Sequence, residues 1–231
     1  MKTPSRLAVI PARGGSKRLP GKNIAAIGGR PMIEWTIRAA LECRLFDRIV
    51  VSTDDRAIAD IARAAGADVP FLRDDYADDH APVSLATIDA VDRVQHGVPS
   101  YDVVVQLMAN CPLRKAAHII DAVAAFDAGG AAFQLSCFKF GFMNPWWAFK
   151  RRTDGTADVL FPEAMTRRSQ DLDPLFCPSG AIWIARTGDL RAARTFHGNG
   201  ATFLPLPWQA ALDIDDEDDL ALARALFEAG L

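Results

Sequence analysis

No run of apolar residues in this chain reaches the roughly 20 needed to cross a bilayer as a helix, so a membrane partner is not expected. Positive charge is not in excess either. The 26 Lys and Arg residues against 29 Asp and Glu leave a net charge of -3, without the basic balance of most nucleic-acid-binding domains. Four cysteines, Cys43, Cys111, Cys137 and Cys177, form no C-x-x-C pair, and His80, His96, His118 and His197 are equally dispersed. Neither a disulfide framework nor a zinc site is therefore expected. The first residues, M-K-T-P-S-R, carry no apolar leader, and with reduced thiols this makes the cytoplasm the expected location. There is no internal repeat and no low-complexity linker. A composition that is 50% hydrophobic and 24% charged over 231 residues fits one globular domain spanning 1–231.

Against that acidic background, one stretch is strongly basic. Leu7 to Asn23 reads L-A-V-I-P-A-R-G-G-S-K-R-L-P-G-K-N, an apolar strand that empties into a loop with Gly14, Gly15 and Gly21 among Arg13, Lys17, Arg18 and Lys22. Glycines let backbone N–H groups approach a ligand, and a concave array of such groups binds anions. Four cations with no acid among them ask for a negative occupant, and a polyphosphate is the natural one. The loop is not a P-loop, which places four residues between Gly and Gly-Lys and follows them with Ser or Thr. Here Gly15 and Gly21 enclose S-K-R-L-P, Asn23 follows Lys22, and helix signals begin only at Pro31. The dinucleotide fingerprint G-x-G-x-x-G is absent as well.

Strand and helix patterns alternate along most of the chain. Met32 to Arg44 has a helical apolar period, Arg48 to Thr53 reads as a buried strand, and Asp54 and Asp55 stand to cap a helix that Gly66 ends. Val69 to Leu72 reads as a short strand, Ser84 to Val94 as a helix, Val103 to Met108 as a strand, and Ala116 to Phe126 as a helix. Strands at Ala131 to Ser136 and Gly180 to Ala185 complete the series. Such alternation predicts an α/β fold, a mostly parallel sheet with helices on both faces. Residues 138–173 break the rhythm with F-G-F-M-N-P-W-W-A-F and a polar turn, and so many aromatics in an irregular segment predict an extension that packs on a second subunit. Homodimerisation through Phe142, Trp146, Trp147 and Phe149 is the expectation.

Near the other end stands A-L-D-I-D-D-E-D-D-L. Read as a strand, Ala211 to Asp215 puts Asp213 and Asp215 on one face, with Leu212 and Ile214 on the other. Two carboxylates so close favour a cation between them, and Mg2+, which takes a few carboxylates plus phosphate oxygens, is the expected ligand. Asp218 and Asp219 have a different reading, as acids at the positive start of a helix from Leu220 to Glu228. A basic cradle and a metal-binding acid pair together predict nucleotidyl or phosphoryl transfer.

These residues resemble the acylneuraminate cytidylyltransferase family, the CMP-sialic acid synthetases and their bacterial nonulosonate relatives. The match runs from I-P-A-R-G-G-S-K-R-L-P-G-K-N through V-S-T-D-D at Val51 to Asp55, F-L-R at Phe71 to Arg73 and P-L-R at Pro112 to Arg114. R-S-Q-D-L at Arg168 to Leu172 and D-I-D at Asp213 to Asp215 complete it. The resemblance implies a Rossmann-like sheet with a small dimerisation extension, and a reaction that joins CTP to an acidic nine-carbon sugar and releases pyrophosphate. It implies Ala12, Arg13, Asn23, Arg73 and Ser84 around the cytidine nucleotide, Lys22 on the triphosphate, and Ser16 and Lys17 beside the phosphates. Arg13, Lys22, Arg168, Asp213 and Asp215 would be the catalytic set, with Asp213 and Asp215 holding Mg2+.

The acceptor side departs from the family pattern. M-A-N-C-P-L-R stands where Q-P-T-S-P-L-R is usual, so Met108 replaces a sugar-contacting glutamine, with Gln106 two residues earlier as a candidate substitute. Trp183 replaces a tyrosine, and Pro178-Ser179-Gly180 replaces Asn-Gly. Sugar contacts are accordingly expected from Gln106, Met108, Arg167, Arg168 and Gln170, with Arg167 an alternative to Arg168 and ion pairing to Asp171 or Asp173 the competing use of both arginines. Two rival functions remain: a cytidylyltransferase for the eight-carbon acid Kdo, whose loop resembles I-P-A-R-Y-A-S-T-R-L-P-G-K, and a nucleotide-binding protein without catalysis.

Overall fold

The computed structural model describes residues 3–76, 81–95 and 101–230, which leaves His80 and His96 outside the described residues. In chain order the elements are β1 (Arg6–Pro11), the two short strands β2 (Ala26–Ile27) and β3 (Arg30–Pro31), α1 (Met32–Glu42), β4 (Arg48–Ser52) and α2 (Arg56–Ala64). Then come α3 (Val83–Val94), β5 (Val103–Gln106), α4 (Ala116–Gly129), β6 (Phe133–Lys139), β7 (Phe149–Arg151) and β8 (Ala157–Val159). The chain closes with β9 (Phe176–Arg186), α5 (Thr187–Ala193), β10 (Thr202–Pro205) and α6 (Glu217–Glu228).

β1 is buried at every position, as a strand covered on both faces must be. It pairs in parallel with β4 and β5, in a sheet of order β10-β6-β9-β5-β1-β4. β6 and β10 are also parallel, while β9 runs antiparallel between β5 and β6. The sheet is thus mostly parallel with one reversed strand. Alternate side chains of β1 serve two cores. Ala8 and Ile10 pack with Ile33 and Ile37 of α1, Ile58 of α2 and Ile119 of α4, whereas Leu7 and Val9 pack with Ile88 and Val91 of α3 and with Phe196.

Local chemistry sets the boundaries. Asp55 caps α2, its Oδ1 accepting the Ala57 and Ile58 N–H groups at 2.7 and 3.1 Å. Gly66 and Gly130 take φ of 98° and 71° just past their helices, a conformation that glycine adopts without steric cost. Asp216 and Asp219 form a reciprocal capping box, which starts α6 at Glu217, three residues before Leu220.

Several expectations are corrected. Val69 to Leu72 is no strand: a single isolated bridge joins Val50 to Asp68, and Pro70 has no N–H to continue a ladder from it. Lys22–Ile24 forms a single 3-10 turn, although the first α-helix does begin at Met32. Strand β9 is 11 residues long, since its start at Phe176 pairs with the end of β6, and α5 and β10 were not legible in the sequence. Ala211 to Asp215 is irregular, because no neighbouring strand lies beside it, yet Ile214 is fully buried and Asp213 is exposed, so the alternation of sides survives.

Between β6 and β9 lie the β7–β8 hairpin and three 3-10 turns. The aromatics there divide. Trp146 stacks edge-on against Phe161 at 5.0 Å and donates its indole N–H to the Asp173 carbonyl, and Trp147 donates to the Ala164 carbonyl. Phe142 and Met143, 88% and 72% exposed, face solvent with Phe149.

Candidate active site

The basic loop and the acidic segment, 193 residues apart in sequence, meet at the C-terminal end of β1. The Lys22 ammonium lies 2.8 Å from Asp215 Oδ1, and the Arg18 guanidinium 2.6 Å from Oδ2. A small core of Leu19, Ile27, Met32, Ile214, Leu220 and Ala223 fixes that juxtaposition, joining the loop, α1 and α6. A hollow of about 240 Å3 is lined by Arg13, Ser16, Lys17, Arg18, Lys22 and Asp215. Arg13 and Lys22 also line an adjoining cavity of about 220 Å3 with Asn23, Arg73, Met108 and Asn110. One compartment is strongly cationic and the other mixes polar and apolar walls, as phosphate and nucleoside subsites require.

The loop is built less on backbone amides than its glycines imply. Gly14 donates its N–H to Asp54 Oδ1 at 2.9 Å, so that group is already engaged. A Cβ on Gly14 would come within 2.7 Å of Asp55 Oδ2, and close approach to the start of α2 is the reason for glycine there. Asp54 therefore shapes the loop, while only Asp55 caps the helix. Side chains of Arg13, Ser16, Lys17, Arg18 and Lys22 supply the anion-binding face.

Asp213 is exposed as a residue, yet protein packs around its carboxyl. That crowding, and Asp215 beside it, push its carboxyl up to about 6. The Cys111 thiol, itself pushed far above its ordinary value by burial, lies 4.0 Å from Asp213 Oδ1. Burial acts to raise Asp215 too, but Lys22 and Arg18 outweigh it and hold that carboxyl below its ordinary value. Among the described residues no three His, Cys, Asp or Glu side chains form a metal cluster. Two neighbouring carboxylates, one of them destabilised as an anion, nonetheless fit a divalent ion whose remaining ligands are phosphate oxygens and water.

Of the other sequence-derived candidates, Asn23 is buried and donates from Nδ2 to the Arg13 carbonyl at 2.9 Å, fixing the loop exit. Ala12 is buried and its N–H bonds the Ser52 carbonyl. Arg73 is 4% exposed, with Nη1 3.3 Å from the Ser52 carbonyl, and burial lowers its pKa. Its Nε, also buried, has no partner among the described residues. Ser84 is turned inward, its Oγ accepting the Phe196 N–H at 3.4 Å, and its neighbour Val83 lines the cavity instead.

Two expectations for the acceptor side are not met within one chain. Gln106 is completely buried and does not reach the cavity, because Thr87 Oγ1 donates to its Oε1 at 2.6 Å and its amide faces the Met108 sulfur at 3.7 Å. Met108 is the residue on the cavity wall, and Gly180 admits it, since a Cβ there would lie 2.9 Å from Met108 Cγ. Arg167, Arg168 and Gln170 are exposed on the extension and line neither cavity. Arg168 makes a bidentate pair with Asp171 at 2.8 and 3.2 Å, and Arg167 bonds the Asp171 carbonyl.

The sequence marks Arg18 only as one of the loop's four cations, and does not single out Asn110 or the role of Arg114. Arg114 is fully buried, donating to the Ala181 carbonyl at 2.6 Å, the Met108 carbonyl at 3.3 Å and Thr36 Oγ1 at 2.8 Å. It ties β9, the segment after β5 and α1 together beneath the site. Asn110 clamps the acidic segment: its carbonyl accepts the Ile214 N–H at 3.0 Å, and its Nδ2 donates to the Ile214 carbonyl at 3.2 Å. Asn110 stands where the family pattern has Thr, so no motif marks it.

Comparison with known proteins converges on the same chemistry. A family model described as cytidylyltransferase matches residues 7–142. The chain is 36% identical over 230 residues to a CMP-N,N'-diacetyllegionaminic acid synthase of Legionella pneumophila, covering 96% of each protein. It is 33% identical over 224 residues to a pseudaminic acid cytidylyltransferase of Campylobacter jejuni, again covering 96% of both. Among solved structures, a CMP:2-keto-3-deoxy-manno-octonic acid synthetase complexed with CTP superposes with a TM-score of 0.72 at 19% identity, over 98% of this chain and 100% of that one, a likeness of fold.

Proposed function

The chain belongs to the cytidylyltransferase family, in its acylneuraminate and nonulosonate branch, and on that premise we propose that it joins CTP to an acidic nine-carbon sugar, giving the CMP-sugar and pyrophosphate. The observation that carries this reading is the meeting of the basic loop with Asp213 and Asp215, at the junction of a cationic hollow and a nucleoside-sized cavity. Arg13, Ser16, Lys17 and Lys22 bind and orient the triphosphate, and Ala12, Asn23 and Arg73 form the nucleoside side. Ser84 supports that wall from behind rather than touching the base. Asp213 and Asp215 would hold Mg2+, which supplies positive charge to the phosphate oxygens when bound. Lys22 and Arg18 neutralise Asp215 in the free protein, and an arriving triphosphate is a stronger partner for both cations.

Selectivity for the nucleotide tests this arrangement. With a nonulosonic acid acceptor present, pyrophosphate release is expected from CTP and to be at least tenfold slower from ATP or GTP, whose larger bases would crowd the 220 Å3 cavity that Arg73 and Met108 help to line. Equal turnover of purine triphosphates would remove the assignment of that cavity.

The acceptor's carboxylate is best held by an arginine, since bidentate geometry suits it. Arg168 belongs to an extension whose outward Phe142, Met143 and Phe149 favour a homodimer, and docking would carry one chain's arginine toward its partner's cleft. Light scattering is expected to give twice the chain mass at micromolar concentration; an active monomer would contradict the dimer. Arg168→Ala is expected to raise the acceptor KM by about tenfold or more while CTP affinity, measured by calorimetry, stays within about twofold. A loss confined to CTP binding would place the extension at the nucleotide instead.

A further inference from the structure

Asn110 has a second end. Its carboxamide nitrogen is spent on the Ile214 carbonyl, and its side-chain oxygen is buried with no hydrogen-bond partner among the described residues, while the residue itself lines the 220 Å3 cavity. Asn110 is 4% exposed, so bulk water does not compensate. A buried acceptor left unpaired is costly, and where one persists beside a cavity an incoming group that pairs with it accounts for its presence. An amide oxygen only accepts, so the incoming group must be a donor.

Position narrows the choice. Through Ile214, Asn110 is tied between Asp213 and Asp215, at the phosphate end of the site, while Arg73 stands on the same cavity wall at the nucleoside end. The part of a nucleoside triphosphate that lies between base and phosphates is the ribose, whose hydroxyls are donors. We propose that Asn110 is a specificity-determining residue that accepts a hydrogen bond from a ribose hydroxyl of the bound nucleotide, so that one residue reads the sugar as RNA-type and holds the acidic segment in register with it. This inference rests on the cytidylyltransferase reading above.

Calorimetry of the full-length protein with CTP, 2′-deoxy-CTP and 3′-deoxy-CTP tests it. The unmodified protein is expected to bind one of the two deoxynucleotides about tenfold more weakly than CTP, because removing the hydroxyl leaves the amide oxygen unpaired. In Asn110→Ala that difference should shrink to about twofold or less. Equal binding of all three nucleotides by the unmodified protein overturns the proposal, whatever the variant does. So does a variant that keeps the full discrimination, and Asn110→Ser serves in its place if Asn110→Ala melts early. Binding of an amino donor on the base would give the first of these outcomes. Failure of the unmodified protein to bind CTP at all would instead count against the cytidylyltransferase reading itself.

Discussion

Asp215→Ala is expected to cut turnover by about a thousandfold or more, the effect of removing several kcal/mol of charge neutralisation from the transition state. Asp213→Ala should do nearly as much. The Asp215 variant carries a second expectation that separates a metal ligand from a structural acid. In the protein as it stands, the Asp215 carboxylate occupies Lys22 and Arg18, at 2.8 and 2.6 Å. Removing it releases both cations to the triphosphate, so CTP binding without divalent ion should stay as tight or tighten while catalysis collapses. Turnover near the original rate without added magnesium would mean that the pair does not hold the metal. Weakened metal-free CTP binding would mean that Asp215 mainly positions the loop.

Arg114→Ala is expected to destabilise the fold by about 3–5 kcal/mol, the range for a large side chain removed from a buried, hydrogen-bonded position. The Ala181 carbonyl and the Thr36 hydroxyl lose the Arg114 donor, while the Met108 carbonyl keeps its bonds from Thr36 Oγ1 and the Cys111 N–H. Burial already lowers the Arg114 pKa to about 10, and its Nε has no partner among the described residues, so part of the cost of enclosing the charge is relieved when it goes. The lost 2.6 Å bond to the Ala181 carbonyl and the void outweigh that relief. Arg114→Lys should recover little, since a single ammonium cannot span three acceptors set around a planar fork. Urea unfolding measures both. A midpoint shift corresponding to less than about 1 kcal/mol for the alanine variant would show that the bonds contribute little net stability.

The sequence made the sheet's parallel half legible because buried β4 and β5 and amphipathic α1 and α3 carry their period locally. β9 was harder. Its residues 176–179 look like loop, with Pro178 among them, and only pairing with the far end of β6 makes them strand. Ala211 to Asp215 shows the converse: strand-like alternation came from Ile214 entering the core, with no ladder beside it. At the site, charge was readable and partnership was not. The basic run and the acid pair stood out by composition, but the contact of Lys22 and Arg18 with Asp215 depends on packing between distant segments. Gly14 read as a phosphate ligand and instead donates to Asp54. Gln106 shares a strand face with Met108, but burial behind it is a tertiary fact. Asn110 carries no motif of its own, and its unpaired oxygen is visible only in three dimensions.

This chain is expected to transfer CMP to a nine-carbon acidic sugar. The most direct measurement incubates it with CTP, Mg2+ and, separately, sialic, legionaminic and pseudaminic acids and Kdo, and follows both pyrophosphate and the mass of the nucleotide product. The expected result is a CMP adduct of at least one nine-carbon acid, formed in equal amount with pyrophosphate and at least tenfold faster than any adduct of Kdo. A CMP adduct with Kdo alone, or CTP binding with no pyrophosphate released from any of the four acids, would contradict it.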